Sequence, residues 1–237
     1  MKRNNFKYLD MLGMVWISVL VLSMFVSQKI VHLFGVDISI VMLGYPITYI
    51  FSDIFTEVYG YKQSRRIVWT GFACLTLVGI LATLYAAISP SPIYENESAF
   101  DIIFNPGLFI SAITIITFAC GEFMNSLTLA KMKVWMNGRF LWTRTIGSTI
   151  VGSSFDNGLF FILLGTYFGL PAHDIFVLAA TAIVFQISYE TAATPITYAI
   201  IGFLKRSEGV DTYDSHTNFN PFSLSTEYIS SDMHRAV

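Results

Sequence analysis

Charge is what this sequence has least of. Asp, Glu, Lys and Arg make up 13% of its 237 residues, against a usual share of about 25% in soluble domains. Beside 54% hydrophobic residues and a mean hydropathy of +0.60, that shortage excludes an ordinary soluble enzyme and a disordered chain. Cysteine is nearly missing. Cys74 and Cys120 both fall in apolar runs, where a thiol behaves as a small hydrophobe, so neither a disulfide framework nor a metal site is expected. Net charge is small too: 14 basic against 16 acidic side chains give -2, too even for a protein that must neutralise phosphates, so no nucleic-acid partner is expected. Gly-x-x-x-x-Gly-Lys-Ser/Thr, His-Glu-x-x-His and Gly-x-Ser-x-Gly are all absent. The chain is expected neither to hydrolyse ATP nor to use a cofactor.

Long apolar runs are what the sequence has in abundance. Six are long enough to cross about 30 Å of hydrocarbon at 1.5 Å per residue: Met11 to Phe34, Ser39 to Tyr59, Ile67 to Ile88, Leu108 to Ala130, Thr143 to Leu170 and Ile175 to Leu204. The expected fold is all-α, a polytopic integral membrane protein with six transmembrane helices in the lipid bilayer. The first run is too long for a signal-peptide core and lacks a small-x-small cleavage site, so it reads as a retained span. Lys2, Arg3 and Lys7, then Lys62, Arg65 and Arg66, then Lys131, Lys133 and Arg139, then Lys205 and Arg206 mark alternate connections, while the others carry no Lys or Arg. Short basic loops stay in the cytoplasm, which places both termini there. Residues 1–206 read as the transmembrane domain and 207–237 as a polar cytoplasmic tail. Pro46-Ile47-Thr48-Tyr49 echoes Pro195-Ile196-Thr197-Tyr198, but in spans of the same direction, so it reads as chance rather than an inverted repeat. Either proline can kink its helix and free a carbonyl.

Against this apolar background stand Asp53, Glu57, Glu122, Asp156 and Glu190, with Asn125, Asn157, Gln28 and Gln186. An ionisable group in a span costs at least about 2.5 kcal/mol, so it ordinarily faces a bundle interior or a wet cavity and has a task. Asp156 lies twelve residues past Arg144, roughly 18 Å along a helix and near the midplane. Glu190 is midway along the sixth span. Asp53 and Glu57 are four apart, Glu122 and Asn125 three, so each pair shares a helix face. Glu57 is shallow enough to pair with Arg65, Arg66 or Arg144 instead. Lys29 is the one deep base, in the outer third of the first span, with His32 beside it.

A lining of acids and amides suits cations, protons or a neutral ligand rich in N–H donors. One carboxylate can accept two adjacent N–H groups of a guanine-like edge while Asn or Gln satisfies the neighbouring carbonyl. Tyr45, Tyr49, Phe51, Phe118, Phe155 and Tyr189 can stack on a flat ring, although helix packing is the commoner use of such residues. Gly147, Ser148, Gly152, Ser153 and Ser154 read as a close helix contact in preference to a substrate path.

Three blocks carry a family resemblance: Pro46-Ile47-Thr48-Tyr49-Ile50-Phe51-Ser52-Asp53-Ile54-Phe55-Thr56-Glu57-Val58-Tyr59-Gly60-Tyr61, Gly121-Glu122-Phe123-Met124-Asn125-Ser126, and Arg144-Thr145-Ile146-Gly147-Ser148 through Phe155-Asp156-Asn157. With Tyr213-Asp214 and Thr217-Asn218-Phe219-Asn220-Pro221-Phe222, they resemble the YhhQ-like queuosine precursor transporters of the vitamin-uptake-transporter group. The resemblance implies import of 7-cyano-7-deazaguanine and 7-aminomethyl-7-deazaguanine across the bacterial inner membrane. On that reading the protein is a secondary transporter working by alternating access, not an enzyme. Asp156, Asn157, Gln186 and Glu190 would form the centre of its substrate site. Asp53, Glu57, Glu122 and Asn125 would receive the base or a proton on the inward side, and Arg144 would partner a carboxylate in one state. Two alternatives stay open: a substrate-binding subunit that needs an ATP-driven module, and an intramembrane enzyme using paired carboxylates. The oligomeric state, including a homo-oligomer, is left open.

Overall fold

The computed structural model describes residues 6–33, 35–105, 108–223 and 225–234. Lys2, Arg3, Phe34, Gly107 and the final residues 235–237, which enter the expectations above, lie outside these. The fold is all-α but for two small ribbons. Helix α1 (Leu9–Val26) leads into strands β1 (Ile30–Leu33) and β2 (Val36–Ser39), which pair antiparallel with Ile30 opposite Ser39. Short helices α2 (Val41–Gly44) and α3 (Pro46–Ile54) follow, then a π-helical turn, Phe55–Tyr59. The remaining helices are α4 (Tyr61–Ala86), α5 (Glu97–Phe104), α6 (Leu108–Trp135), α7 (Leu141–Tyr167) and α8 (Ala172–Glu208). Strands β3 (Asp211–Thr212) and β4 (Met233–His234) pair the two ends of the C-terminal segment.

Five segments among the described residues are long and apolar enough to cross a membrane: α1, α4, α5 with α6, α7 and α8. The chain is a multi-pass membrane protein. One of the expected boundaries needs correction. The first span ends at Val26, and the residues after it enter the β1–β2 hairpin, so Gln28 and Lys29 are exposed rather than deep, as is His32. The second expected span runs as α2, α3 and the π turn, and its backbone stays right-handed helical at Tyr45, Ile54 and Phe55. Its hydrogen bonding is interrupted at Tyr45, where Pro46 takes the first position of α3 and its missing N–H costs little, and it changes register where α3 passes into the π turn. That turn stops at Gly60, whose φ of +82° reverses the chain into α4.

This broken segment is the most enclosed part of the molecule. From Ser52 to Arg65 every side chain is buried, with α1, α4, α6 and α8 packed around it. Trp16 on α1, fully buried, donates its indole N–H to the Thr48 carbonyl at 3.0 Å. It lies against Gly71 of α4, where a Cβ would stand 2.5 Å from the ring. Helices α6 and α7 cross at Gly121 and Gly152. A Cβ on Gly121 would come within 2.5 Å of the Asp156 Cβ and 3.0 Å of the Gly152 carbonyl. Only glycine permits this approach, and it brings the polar residues of the two helices together.

The polar stretch after Glu208 folds back on the bundle. Arg65 donates to the carbonyls of Asn218, Asn220 and Ser225 at 3.0, 2.7 and 2.7 Å, and Trp69 to that of Pro221 at 2.7 Å. Asp214 and the Tyr228 hydroxyl accept the first two backbone N–H groups of α4, at 2.9 and 2.8 Å. These N–H groups have no partner within the helix, and the tail supplies one. Burial raises the Asp214 carboxyl above its usual range, although three hydrogen bonds oppose the shift.

Candidate functional site

Helices α6, α7 and α8 each carry an acid at their centre: Glu122, Asp156 and Glu190. All three are buried, and Asp53, at the end of α3, completes the group. Glu190 and Glu122 lie within electrostatic reach of Asp53, and Asp156 within reach of Glu122. The Tyr45 and Tyr49 hydroxyls donate to Asp156 Oδ2 at 2.5 and 3.1 Å. Asn125 Nδ2 donates to Asp53 Oδ1 at 2.8 Å, with Ser148 Oγ at 3.4 Å. Asn157 Nδ2 donates to Gln186 Oε1 at 2.9 Å. Seven of the eight residues expected at the site therefore meet in one layer at mid-bundle.

The layer is under-satisfied. Among the described residues, Asp53 Oδ2, both oxygens of Glu122, Asn125 Oδ1, Gln186 Nε2 and both oxygens of Glu190 are buried with no well-formed hydrogen bond, although Ser52 lies close to Glu122 and Tyr49 close to Gln186. A buried polar atom left unpaired costs about 1–3 kcal/mol, so these seven together rival the ~5–15 kcal/mol that holds a domain folded. A layer this expensive is not there for stability. It offers many acceptors and few donors, which suits a ligand rich in N–H groups, a cation or a proton. Among the described residues, no three of His, Cys, Asp and Glu come together as metal ligands.

Glu57, the eighth, is elsewhere, although its π turn directly follows α3. Its Oε1 takes Lys205 at 2.7 Å, Arg144 at 2.9 Å and Lys133 at 3.4 Å. Lys133 and Lys205 also hold Asp211 at 2.6 and 2.8 Å. Arg144 is thus a partner of Glu57, and donates besides to the Arg139 carbonyl. The network ties the π turn, α6, α7, α8 and β3 together at the end of the bundle where the basic residues gather. Burial alone would raise the Asp211 carboxyl, but Lys133 and Lys205 outweigh it and hold it below its usual range.

Sequence reasoning missed three features. Tyr45 and Tyr49 are expected from sequence to pack between helices or to stack on a ring, yet their hydroxyls hold Asp156; the four-residue spacing that puts them on one face was the available signal. Ser52, Ser64 and Ser126, linked at 3.1 and 2.9 Å, carried no signal at all. Lys133 and Lys205 passed as loop charges. Of the proposed stacking residues, Phe118 packs against Trp16 and Tyr45 inside the bundle, whereas Phe155 is 44% exposed and points away from it.

Helices that span a membrane around a buried layer of acids and amides are an arrangement that polytopic transport proteins use. Residues 39–200 match the family described as "Putative vitamin uptake transporter", and the chain belongs to that family. The family's description is that of a transporter and not of an enzyme. Among curated proteins it is similar to the "Probable queuosine precursor transporter" of Bacillus subtilis (strain 168), 26% identical over 136 residues. That match covers 56% of this chain and 58% of the relative, so the chain spans somewhat over half the length of the protein it matches. No solved structure matches it.

Proposed function

We propose that the protein imports 7-deazaguanine precursors of queuosine, 7-cyano-7-deazaguanine and 7-aminomethyl-7-deazaguanine, across the cell inner membrane. The observation that carries this reading is the mid-bundle layer of buried carboxylates and amides with unpaired atoms. A flat base with several N–H donors and one carbonyl satisfies such a layer, whereas a phosphate or an organic anion meets only like charge. The name of the Bacillus subtilis relative supports the same substrate class. The substrate would bind among Asp53, Glu122, Asn125, Asp156, Asn157, Gln186 and Glu190, with residues 1–206 as the transporter domain and 207–237 as its cytoplasmic tail.

The mechanism is alternating access, as a secondary transporter. The broken segment α2–α3 with its π turn serves as the sixth crossing, and both termini face the cytoplasm. Unwound or kinked backbone at membrane depth is tolerated where it is enclosed by protein, as this segment is. Glu57 with Lys133, Arg144 and Lys205 closes the cytoplasmic end, and those ion pairs must part for release. Proteoliposomes containing the purified full chain test the proposal. Saturable accumulation of labelled 7-cyano-7-deazaguanine, lost in Asp156→Asn and Glu122→Gln, is the expected result. Binding without accumulation under any ion gradient would move the protein to the substrate-binding subunit of an ATP-energised system. No binding would remove the substrate class.

A further inference from the structure

Helix α8 contributes two polar side chains to the buried layer, Gln186 and Glu190, four residues apart and therefore stacked on one face. They differ from every other pair there in what they leave free. Asn157 donates its amide to Gln186 Oε1 at 2.9 Å, which sets the direction of the Gln186 amide and leaves its Nε2 beside Tyr49 without a well-formed hydrogen bond among the described residues. Both carboxylate oxygens of Glu190 are unpaired as well. The face thus presents one donor beside two acceptors. Glu122 and Asn125 on α6 offer mainly acceptors, because the Asn125 amide nitrogen gives one of its two hydrogens to Asp53. Asp156 has one oxygen taken up by two tyrosine hydroxyls.

We propose that Gln186 and Glu190 read the hydrogen-bonding edge of a guanine-type base, with Asn157 as the positioning residue that sets the direction of the Gln186 amide. This rests on the transport reading above and assigns recognition within it. The guanine-type edge presents an amino N–H, a ring N–H and a carbonyl oxygen in a row, the complement of two carboxylate oxygens and one amide N–H. An adenine-type edge puts a bare ring nitrogen against a carboxylate oxygen, acceptor against acceptor. A hypoxanthine-type edge lacks the amino group and leaves one Glu190 oxygen unpaired. Each lost pairing of this kind lowers affinity about 10- to 100-fold.

Competition against labelled 7-cyano-7-deazaguanine in proteoliposomes tests the assignment. In the wild type, 7-deazaguanine should compete, 7-deazahypoxanthine about 10- to 100-fold less well, and 7-deazaadenine not measurably. Glu190→Gln exchanges one acceptor for a donor, so it should lose 7-deazaguanine and gain 7-deazaxanthine, whose edge carries a second carbonyl. A gain of a new ligand cannot come from misfolding. Asn157→Leu should blunt the discrimination without abolishing binding. Wild-type uptake together with a Glu190→Gln variant that keeps the original ranking would overturn the assignment while leaving the transport reading intact. A wild type that binds none of these bases would overturn both.

Discussion

Replacing Glu57 by Gln separates an ion-pair role from a substrate role for this residue. In the structure one carboxylate oxygen is shared by Lys205, Arg144 and Lys133, and Glu57, Arg144 and Lys133 are each about 1% exposed. With Asp211 the group holds three cations against two acids, a net charge of +1 (3 - 2). Glu57→Gln leaves three against one. Removing one partner of a buried ion pair costs about 3–5 kcal/mol. For a chain of this size each kcal/mol is worth roughly 2–4 °C, so Tm in detergent should fall by about 6–20 °C. Adding Lys205→Met restores the balance to two against one, and the double variant should recover much of the loss. Thermal unfolding of the four proteins forms the double-mutant cycle. Losses that simply add, or a Glu57→Gln protein of unchanged Tm that no longer transports, would refute the reasoning and return Glu57 to the substrate site.

Other outcomes follow from single contacts. Tyr45→Phe removes a 2.5 Å hydrogen bond to the buried Asp156 carboxylate and should cost about 1.5–3 kcal/mol, read as a lower Tm. Gly152→Ala puts a Cβ 2.7 Å from the Asn125 Cβ and 3.0 Å from the Gly121 carbonyl. The overpacking should cost about 1–3 kcal/mol, read as a lower Tm. Arg65→Ala removes the donor to three tail carbonyls and should expose residues 214–228 to protease while α4 stays protected from hydrogen exchange. Asp211 is an acid held below its usual range, so its stabilisation is full above its unfolded pKa of about 3.9 and lost as pH falls through the lower folded value. Tm should therefore be level down to about pH 5 and fall below about pH 4, and Asp211→Asn should lower Tm at neutral pH and shrink that fall.

Where a signal was local, the sequence carried it. Apolar runs locate α4, α6, α7 and α8 to within six residues at either end, because lipid-facing helices need little beyond continuous hydropathy. Glu122, Asp156 and Glu190 stood out because burying an acid in such a run is costly. The broken second segment was not legible in this way, since a hydropathy window registers composition and not whether helix bonds run unbroken through Tyr45 and Pro46. Lys29 was misplaced for the same reason: Ile30–Leu33 is apolar enough to extend a helix but pairs with Val36–Ser39 instead. Glu57 and Asp53 share a spacing that implies a shared face, yet the π turn between them alters the rotation per residue and Glu57 meets three cations. The tail's fold depends on Arg65, Lys62 and Tyr61, some 150 residues earlier, and no window spans that distance.

That long reach has a consequence for how the chain is made. The ribosome emits the start of α4 long before Asp214 and Tyr228, which are 153 and 166 residues downstream of the backbone groups they cap. Until then the first N–H groups of α4 and the Arg65 guanidinium have only water. The start of α4 is thus left unfinished until the residues beyond Glu208 emerge and complete it. A product cut short after Glu208 would have all its long apolar helices and still present that unfinished end, which is the kind of exposed, incompletely bonded surface that membrane proteases recognise.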